Sequence, residues 1–534
     1  MAQKQHSDSI PLPAERGRIF DRKYRPLVYN ERGFSIHMFP RFIRSIDTVV
    51  EIISKYQLKS KDEMISELKT KKTFFPVKKF IDYKTGDHLR SELRKYRLDN
   101  AIVVRENTKR IYPYGQILSS IIGFVGEDGT GLAGIEYVFD QYLKGKTGWE
   151  ILQKDALGNK YHWPSNRIQK PVNGYDIILT IDLDIQSIVF EKLSQYVKNL
   201  NALRGAVIVL DCQDGSILAL ADYPDFDPQN FQNYPMNLWT ASSITDEFEP
   251  GSVYKLLICA AALRSPQMNQ LLHQSYNTSN GFIVVGGKKI KDVHNNGIIT
   301  FDEIFIKSSN IGVSLLCSEL SPVTFYQTER QFGFGTITGV ELPGETKGFV
   351  DPPSKLTPLR FANNAFGQGV RTTLIQLATA YMAVANDGNL LKPYIVKEIT
   401  VDNKIIYRGK KQLIRSVLTH EQSALIKEIL ARAVQEGTGK QAAIPGVRVC
   451  GKTGTAQKLE PSGKYSQTKS IMSFIGFFPQ DKPRYLIAVM IDEPQKFRFA
   501  GEVACPLFRE IAEQILLLEK LAPPSNATNL LTFK

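Results

Sequence analysis

No stretch of this 534-residue chain reaches 18 consecutive apolar residues, which excludes a membrane-spanning helix from the sequence as it stands. Nor does Met1-Ala2-Gln3-Lys4-Gln5-His6 resemble a signal peptide. Cysteine is sparse. Cys212, Cys259, Cys317, Cys450 and Cys505 are widely spaced, odd in number and form no C-x-x-C pair, which argues against a disulfide framework and against a zinc site. Most lie inside apolar stretches and read as small buried hydrophobes. Clusters of His, Cys or carboxylates at ligand spacing are also missing from the front half, so no metal and no cofactor is expected. Acidic residues are outnumbered: the formal net charge is +13, and residues 1–100 hold 22 Lys and Arg against 13 Asp and Glu, which places +9 of it at the front. A basic front can address nucleic acid, anionic lipid or an acidic polymer. With no recognised nucleic-acid motif, the reading is a solvated surface and no nucleic-acid partner.

What is present is ordinary globular protein, 43% hydrophobic and 23% charged, long enough for two to four domains with proper cores. Residues 1–15 carry little pattern and read as a linker. Arg16-Gly17-Arg18-Ile19-Phe20-Asp21-Arg22 reads as a short extended segment. Helices are expected over 46–56, 61–69 and 88–96, a strand over 101–104 and a turn at Pro113-Tyr114-Gly115. Gly129-Thr130-Gly131-Leu132-Ala133-Gly134 is formally G-x-G-x-x-G. Its upstream strand is short, Glu127-Asp128 stands where phosphate would approach, and no second parallel strand follows, so it reads as a turn into a helix over 135–143. From residue 175 the texture changes. A strand over 177–182, a helix over 185–200 and a hairpin of 205–210 with 216–221, turned at Asp214-Gly215, come first. Strands over 447–456, 471–478 and 485–491 and a helix over 507–518 come last. Early and late strands with helices between them predict an α+β domain at 175–520 with an antiparallel sheet whose neighbours lie far apart in sequence. Residues 521–534 read as a loose tail.

Glu249-Pro250-Gly251-Ser252-Val253-Tyr254-Lys255 precedes the apolar run 256–263, which reads as a helix buried on most sides. Ser252 and Lys255 then share a helix face. A serine needs a neighbour to take its proton, and a lysine can do so only when neutral, a state favoured by burial and by a helix N-terminus. Alone, the pattern reads first as an N-cap serine beside a lysine covering an apolar face, since so short a pattern arises often. Two further patterns follow in the same domain: Ser308-Ser309-Asn310 after a helical stretch at 301–307, and Lys452-Thr453-Gly454 on a late strand. S-x-x-K, S-x-N and K-T-G in that order are the signature of penicillin-binding proteins and serine β-lactamases. Acyl transfer needs a nucleophile, Ser252; a base, Lys255; a proton relay to the leaving amine, Ser308 oriented by Asn310; and a cation near the substrate carboxylate, Lys452. Thr453, Gly454 and Thr455 are assigned to substrate binding, with Gly454 leaving the strand edge open to substrate backbone. The N–H groups of Ser252 and Thr455 are assigned to the oxyanion hole.

The resemblance extends over about 16–520 to the class B penicillin-binding proteins, monofunctional peptidoglycan transpeptidases. Arg16–Arg22, Arg110-Ile111-Tyr112-Pro113-Tyr114-Gly115, Gly123-Phe124-Val125-Gly126 and Gly134-Ile135-Glu136-Tyr137 match motifs of that family's non-catalytic domain. Phe248-Glu249-Pro250-Gly251-Ser252, Gly339-Val340-Glu341-Leu342-Pro343-Gly344-Glu345 and Ile491-Asp492-Glu493-Pro494 resemble its septal branch. The resemblance implies an elongated α/β pedestal or dimerisation-type domain at 16–174 ahead of a transpeptidase domain at 175–520. It implies acylation of Ser252 by a D-Ala-D-Ala stem peptide, cross-linking by a neighbouring stem's amine, and covalent capture of β-lactams at Ser252. It also implies work on the outer face of the cytoplasmic membrane beside a membrane-embedded glycan polymerase and division proteins. The family carries a membrane anchor before the position of Arg16; its absence is read as removal. A serine β-lactamase or D,D-carboxypeptidase, an elongation-type transpeptidase and a non-catalytic scaffold or β-lactam sensor stand as alternatives.

Overall fold

The computed structural model describes residues 7–71, 73–154, 160–161 and 168–519, so the tail expected at 521–534 lies outside the described residues. The chain divides into two units: one takes the residues up to Ile19, Pro26–Pro113 and Gln141–Asp176, the other Phe20–Arg25, Tyr114–Asp140 and the chain from Ile177 onward.

In the first unit, β1 (Ser7–Leu12) pairs antiparallel with the later strand Gly148–Lys154, so this part of the expected linker is strand instead. Strand β2 (Pro26–Met38) is flanked antiparallel by β3 (Phe75–Asp82) and β4 (Ile102–Ile111). Helices α1 (Ile46–Lys55), α2 (Lys61–Thr70) and α3 (Tyr83–Lys95) belong to the same unit. The core joins Phe34, Ile36 and Met38 of β2 to Val49, Ile53, Met64, Leu89 and Leu93. Helix α3 begins five residues earlier than 88 because Asp82 caps it, accepting from Thr85 N, and carries Gly86 through its first turns.

The second unit is built on five antiparallel strands. We label Gly148–Lys154 β5, then β6 (Arg204–Asp211), β7 (Ile217–Tyr223), β8 (Cys450–Leu459), β9 (Tyr465–Phe478) and β10 (Tyr485–Asp492). The order is β7-β6-β10-β9-β8, which bears out the expected pairing of early with late strands. Ala206 stands opposite Met490, and Lys452 opposite Ile475. All eight residues of β10 are buried, the pattern of a strand covered on both faces. The helices are α4 (Leu183–Asn199), α5 (Lys255–Leu263), α6 (Asn310–Glu319), α7 (Leu374–Ala385), α8 (His420–Gln435) and α9 (Ala500–Leu518); α4, α7, α8 and α9 pack on the sheet, and α5 packs against α6 and α8. Val189 and Leu193 of α4 and Phe508 and Ile511 of α9 pack with Val207, Val209, Phe474 and Val489 of the sheet. Helices α5 and α7 are buried on every side, as their largely apolar sequences require, with Lys255, Gln376 and Thr379 the polar exceptions.

Three expectations shift. Helix α9 starts at Ala500 and runs through Pro506, because burial of Ala500, Val503, Ala504 and Cys505 offsets the hydrogen bond proline cannot make. The helix expected over 135–143 is two short ones, Gly134–Val138 and Asp140–Leu143, with Phe139 outside the helical region between them. Phe20–Arg25 and Tyr114–Asp140, which lie within 16–174, fold with the second unit. There Arg25 pairs with Asp21 and Asp184, Lys23 with Asp182, and Gln186 donates to Ile117 O.

Candidate active site

Ser252 lies in a single 3-10 turn, Gly251–Tyr254, that runs directly into α5, so Lys255 is the helix's first residue. Gly251 has φ +60°, and a Cβ there would stand 2.9 Å from Thr455 O; glycine lets this turn press against β8. Hydrogen bonds fix the turn: Gly251 N donates to Gly367 O at 3.1 Å, Tyr381 Oη to Val253 O at 2.7 Å and Tyr254 Oη to Glu329 Oε1 at 2.8 Å. Behind it Leu256, Leu257, Ile258 and Leu263 are buried, each worth about 1.5–3 kcal/mol of transfer free energy.

Ser252 itself is half-buried, and its hydroxyl forms no hydrogen bond with the described residues. Lys255, fully buried, reaches toward the second motif. Its Nζ donates to Ser308 O at 2.7 Å and Asn310 Oδ1 at 2.8 Å, with Ser308 Oγ at 3.4 Å. Ser308 holds φ +60°, a left-handed value that costs a non-glycine residue about 1 kcal/mol or more and turns its carbonyl toward Lys255. Ser309 caps α6, its Oγ accepting from Gly312 N at 2.8 Å, and Asn310 opens that helix. From β8, Lys452 Nζ donates to Ser308 Oγ at 2.9 Å. The motifs thus converge: Lys255, Ser308, Asn310 and Lys452 form one connected polar group next to the Ser252 turn.

Two ammonium groups around one serine hydroxyl cannot both stay charged cheaply. Burial, then the charge of Lys452, push the Lys255 pKa far below the usual lysine range, while Asp292 opposes the shift. Burial brings Lys452 down to about 7. The depression expected of Lys255 is present, with burial as its main cause.

Thr453 is buried, and its Oγ1 lies 2.6 Å from Thr438 Oγ1. Thr455 is exposed, and its Oγ1 accepts from Ala500 N at 3.1 Å. Gly454 lies on β8, the end strand of the sheet, and its lack of a side chain has a cause the sequence did not suggest. A Cβ there would meet Ser473 Oγ at 2.6 Å, Pro250 O at 2.8 Å and Val253 Cγ1 at 2.9 Å, so glycine at this position serves the close packing of β8 against the Ser252 turn. Sequence reasoning missed Asp292, Thr438 and Glu329, which belong to no motif and have no periodic signal. Among the described residues no cluster of His, Cys, Asp and Glu suits a metal ion, and no helix is long and apolar enough to cross a membrane.

Comparison with known proteins is consistent across the chain. Residues 205–513 match the penicillin binding protein transpeptidase domain, and residues 11–179 the penicillin-binding protein dimerisation domain. Over 522 residues the chain is 32% identical to stage V sporulation protein D of Bacillus subtilis, covering 97% of this chain and 80% of that protein. It is 31% identical to a probable peptidoglycan D,D-transpeptidase, PenA, of Neisseria gonorrhoeae, covering 97% and 87%. Among solved structures, penicillin-binding protein 3 of Mycobacterium tuberculosis in complex with aztreonam superposes with a TM-score of 0.73 at 27% identity, covering 96% of this chain and 99% of that one.

Proposed function

The chain belongs to the penicillin-binding protein transpeptidase family, among its class B D,D-transpeptidases, and from that premise we propose that Ser252 is the nucleophile and Lys255 its base in peptidoglycan cross-linking. The enzyme is a serine acyltransferase acting on stem peptides. As Ser252 Oγ bonds the carbonyl carbon of the penultimate D-Ala, its proton passes to neutral Lys255 Nζ. The N–H groups of Ser252 and Thr455 receive the developing oxyanion, each such donor being worth about 3 kcal/mol. The C–N bond then breaks, and the proton reaches the leaving D-Ala amine through Ser308 Oγ. An acceptor amine reverses the sequence: it loses a proton along the same route, bonds the acyl carbon and frees Ser252. Asn310 holds Lys255, Lys452 meets the substrate carboxylate, and Thr453 to Thr455 line the peptide's path along β8. A β-lactam acylates Ser252 by the same steps.

The observation that carries this reading is Lys255: buried, depressed in pKa, and bonded to Ser308 and Asn310 directly after the Ser252 turn. Glu249 ahead of Pro250-Gly251 favours septal over lateral-wall duty. A peptidoglycan substrate supports a place outside the cytoplasm, and we infer from the family resemblance that the enzyme works on the outer face of the cytoplasmic membrane beside a membrane-embedded glycan polymerase and division proteins. Incubation with labelled penicillin followed by intact-mass measurement tests the reading. One adduct is expected, lasting hours and absent in Ser252→Ala. Labelling retained in that folded variant overturns the nucleophile; release within seconds as penicilloate means a hydrolase.

A further inference from the structure

Asp292 follows the short strand Lys288–Lys291, outside all three motifs and half-buried. Both of its carboxylate oxygens are engaged. Oδ1 accepts from Asn310 N at 2.6 Å and Ile311 N at 3.0 Å; Oδ2 accepts from Ser309 Oγ at 2.6 Å and Asn296 Nδ2 at 3.0 Å. The bonds to Ser309, Asn310 and Ile311 fall on consecutive residues where α6 begins, so one side chain sets the position of the whole turn. Carboxylates are favoured there by the helix N-terminus and its unpaired N–H groups. The neighbouring residue completes the grip: Lys291 O accepts from Asn310 Nδ2 at 3.3 Å, which decides which face of the amide is left for Lys255.

We infer that Asp292 is a positioning residue for acylation: it fixes Ser309 and Asn310 so that Asn310 Oδ1 meets Lys255, and it sets the charge that Lys255 faces from that side. The inference rests on the reading of Lys255 as the base. The charged groups around Lys255 are Lys452 from β8, which opposes its protonation, and Asp292, which favours it; Ser308 and Asn310 are neutral. Cys505 of α9 faces Lys452 from behind, and the flanking Lys291 and His294 are exposed. Asp292 therefore does two separable things: its oxygens hold the turn, and its charge keeps Lys255 from becoming neutral at still lower pH.

The test is the rate of acylation by labelled penicillin from about pH 5.5 to pH 10 in the full chain, for the unaltered protein, Asp292→Asn, Asp292→Glu and Lys255→Arg. Asp292→Asn keeps an oxygen for the N–H donors but loses the charge. The plateau rate should fall about tenfold or more as the turn loosens, and the acid limb should move to lower pH by roughly one unit. Asp292→Glu retains the charge with displaced oxygens, so its plateau should fall while its acid limb stays. A residue with a purely structural role would lower the plateau in both variants and leave both limbs in place, and that result overturns the inference. Should Asp292→Asn fail to fold, Asp292→Ser, which also removes the charge, takes its place: a lowered plateau with the acid limb moved to lower pH supports the inference, and a lowered plateau with an unmoved limb overturns it. Lys255→Arg separates the two readings. If it acylates at the normal rate, the base assignment has failed; if it is inert while the limb of Asp292→Asn is unmoved, only the Asp292 inference has.

Discussion

Replacing Glu329 by glutamine should stabilise the protein at neutral pH and leave it unchanged in mild acid. Glu329 lies on the helix Pro322–Gln331 with no exposed surface. Tyr254 Oη donates to Oε1, while Oε2 is buried with no partner among the described residues. Burial, aided by the nearby charge of Asp351, raises its pKa from 4.5 to about 8. Between those two values the unfolded chain carries an ionised Glu329 and the folded chain a protonated one, so folding takes up a proton. The associated stability is complete below about pH 4.5 and is lost as pH rises toward 8. Each pH unit in that window costs about 1.4 kcal/mol, so between about pH 5 and pH 7.5 the loss is about 3 kcal/mol. Glu329→Gln keeps an oxygen for Tyr254 and has nothing to ionise. Urea unfolding of both proteins across that range should show the glutamine variant gaining about 3 kcal/mol relative to the unaltered protein, because every other titrating group cancels in the difference. Penicillin labelling should stay within a few-fold, since the Tyr254 bond survives. A stability difference that does not change with pH would refute the reasoning, because Glu329 would then be ionised in the folded protein as well.

Gly454→Ala places a methyl group within 2.6–2.9 Å of Ser473 Oγ, Pro250 O and Val253 Cγ1; we expect a loss of about 1–3 kcal/mol in thermal unfolding and at least tenfold slower labelling, partly restored when Ser473→Ala is added. Lys452→Ala should slow acylation by penicillin about a hundredfold but by its methyl ester much less, as two parallel labelling series would show. Because the Lys452 pKa is about 7, the charge is present below that value and fades above it, so the unaltered protein's preference for the acid over the ester should shrink as pH rises past 7.

The site was legible where chemistry fixes residue type and order at once. Ser252, Lys255, Ser308, Asn310 and Lys452 announce themselves because acyl transfer tolerates few substitutes and the motifs keep their helix and strand settings. The sheet was legible through unbroken apolar runs such as 485–491, which only burial on two faces explains. Asp292 was not legible, since one carboxylate 17 residues ahead of Ser309 looks like any exposed loop acid until the chain folds back. The reason for Gly454 was hidden likewise: its constraint comes from Pro250 and Val253, about two hundred residues away in sequence. Helix ends misread at α3 and α9 share a cause, a glycine or proline whose local preference is overridden by burial.

The pairing of β6 with β10 also governs when this protein can come into being. Arg204 and Asp492 meet across 288 residues. At roughly 5–20 residues per second of synthesis, the early hairpin waits about 15–60 s for the strand that completes it, with one long apolar edge open to any other strand nearby. A chain stopped just before Tyr485 would contain each side chain of the proposed catalytic group yet lack the central strand of the sheet that sets Lys452 beside Ser308. Such a fragment should be protease-sensitive and inert to penicillin, so covalent labelling reports that synthesis has run nearly to its end.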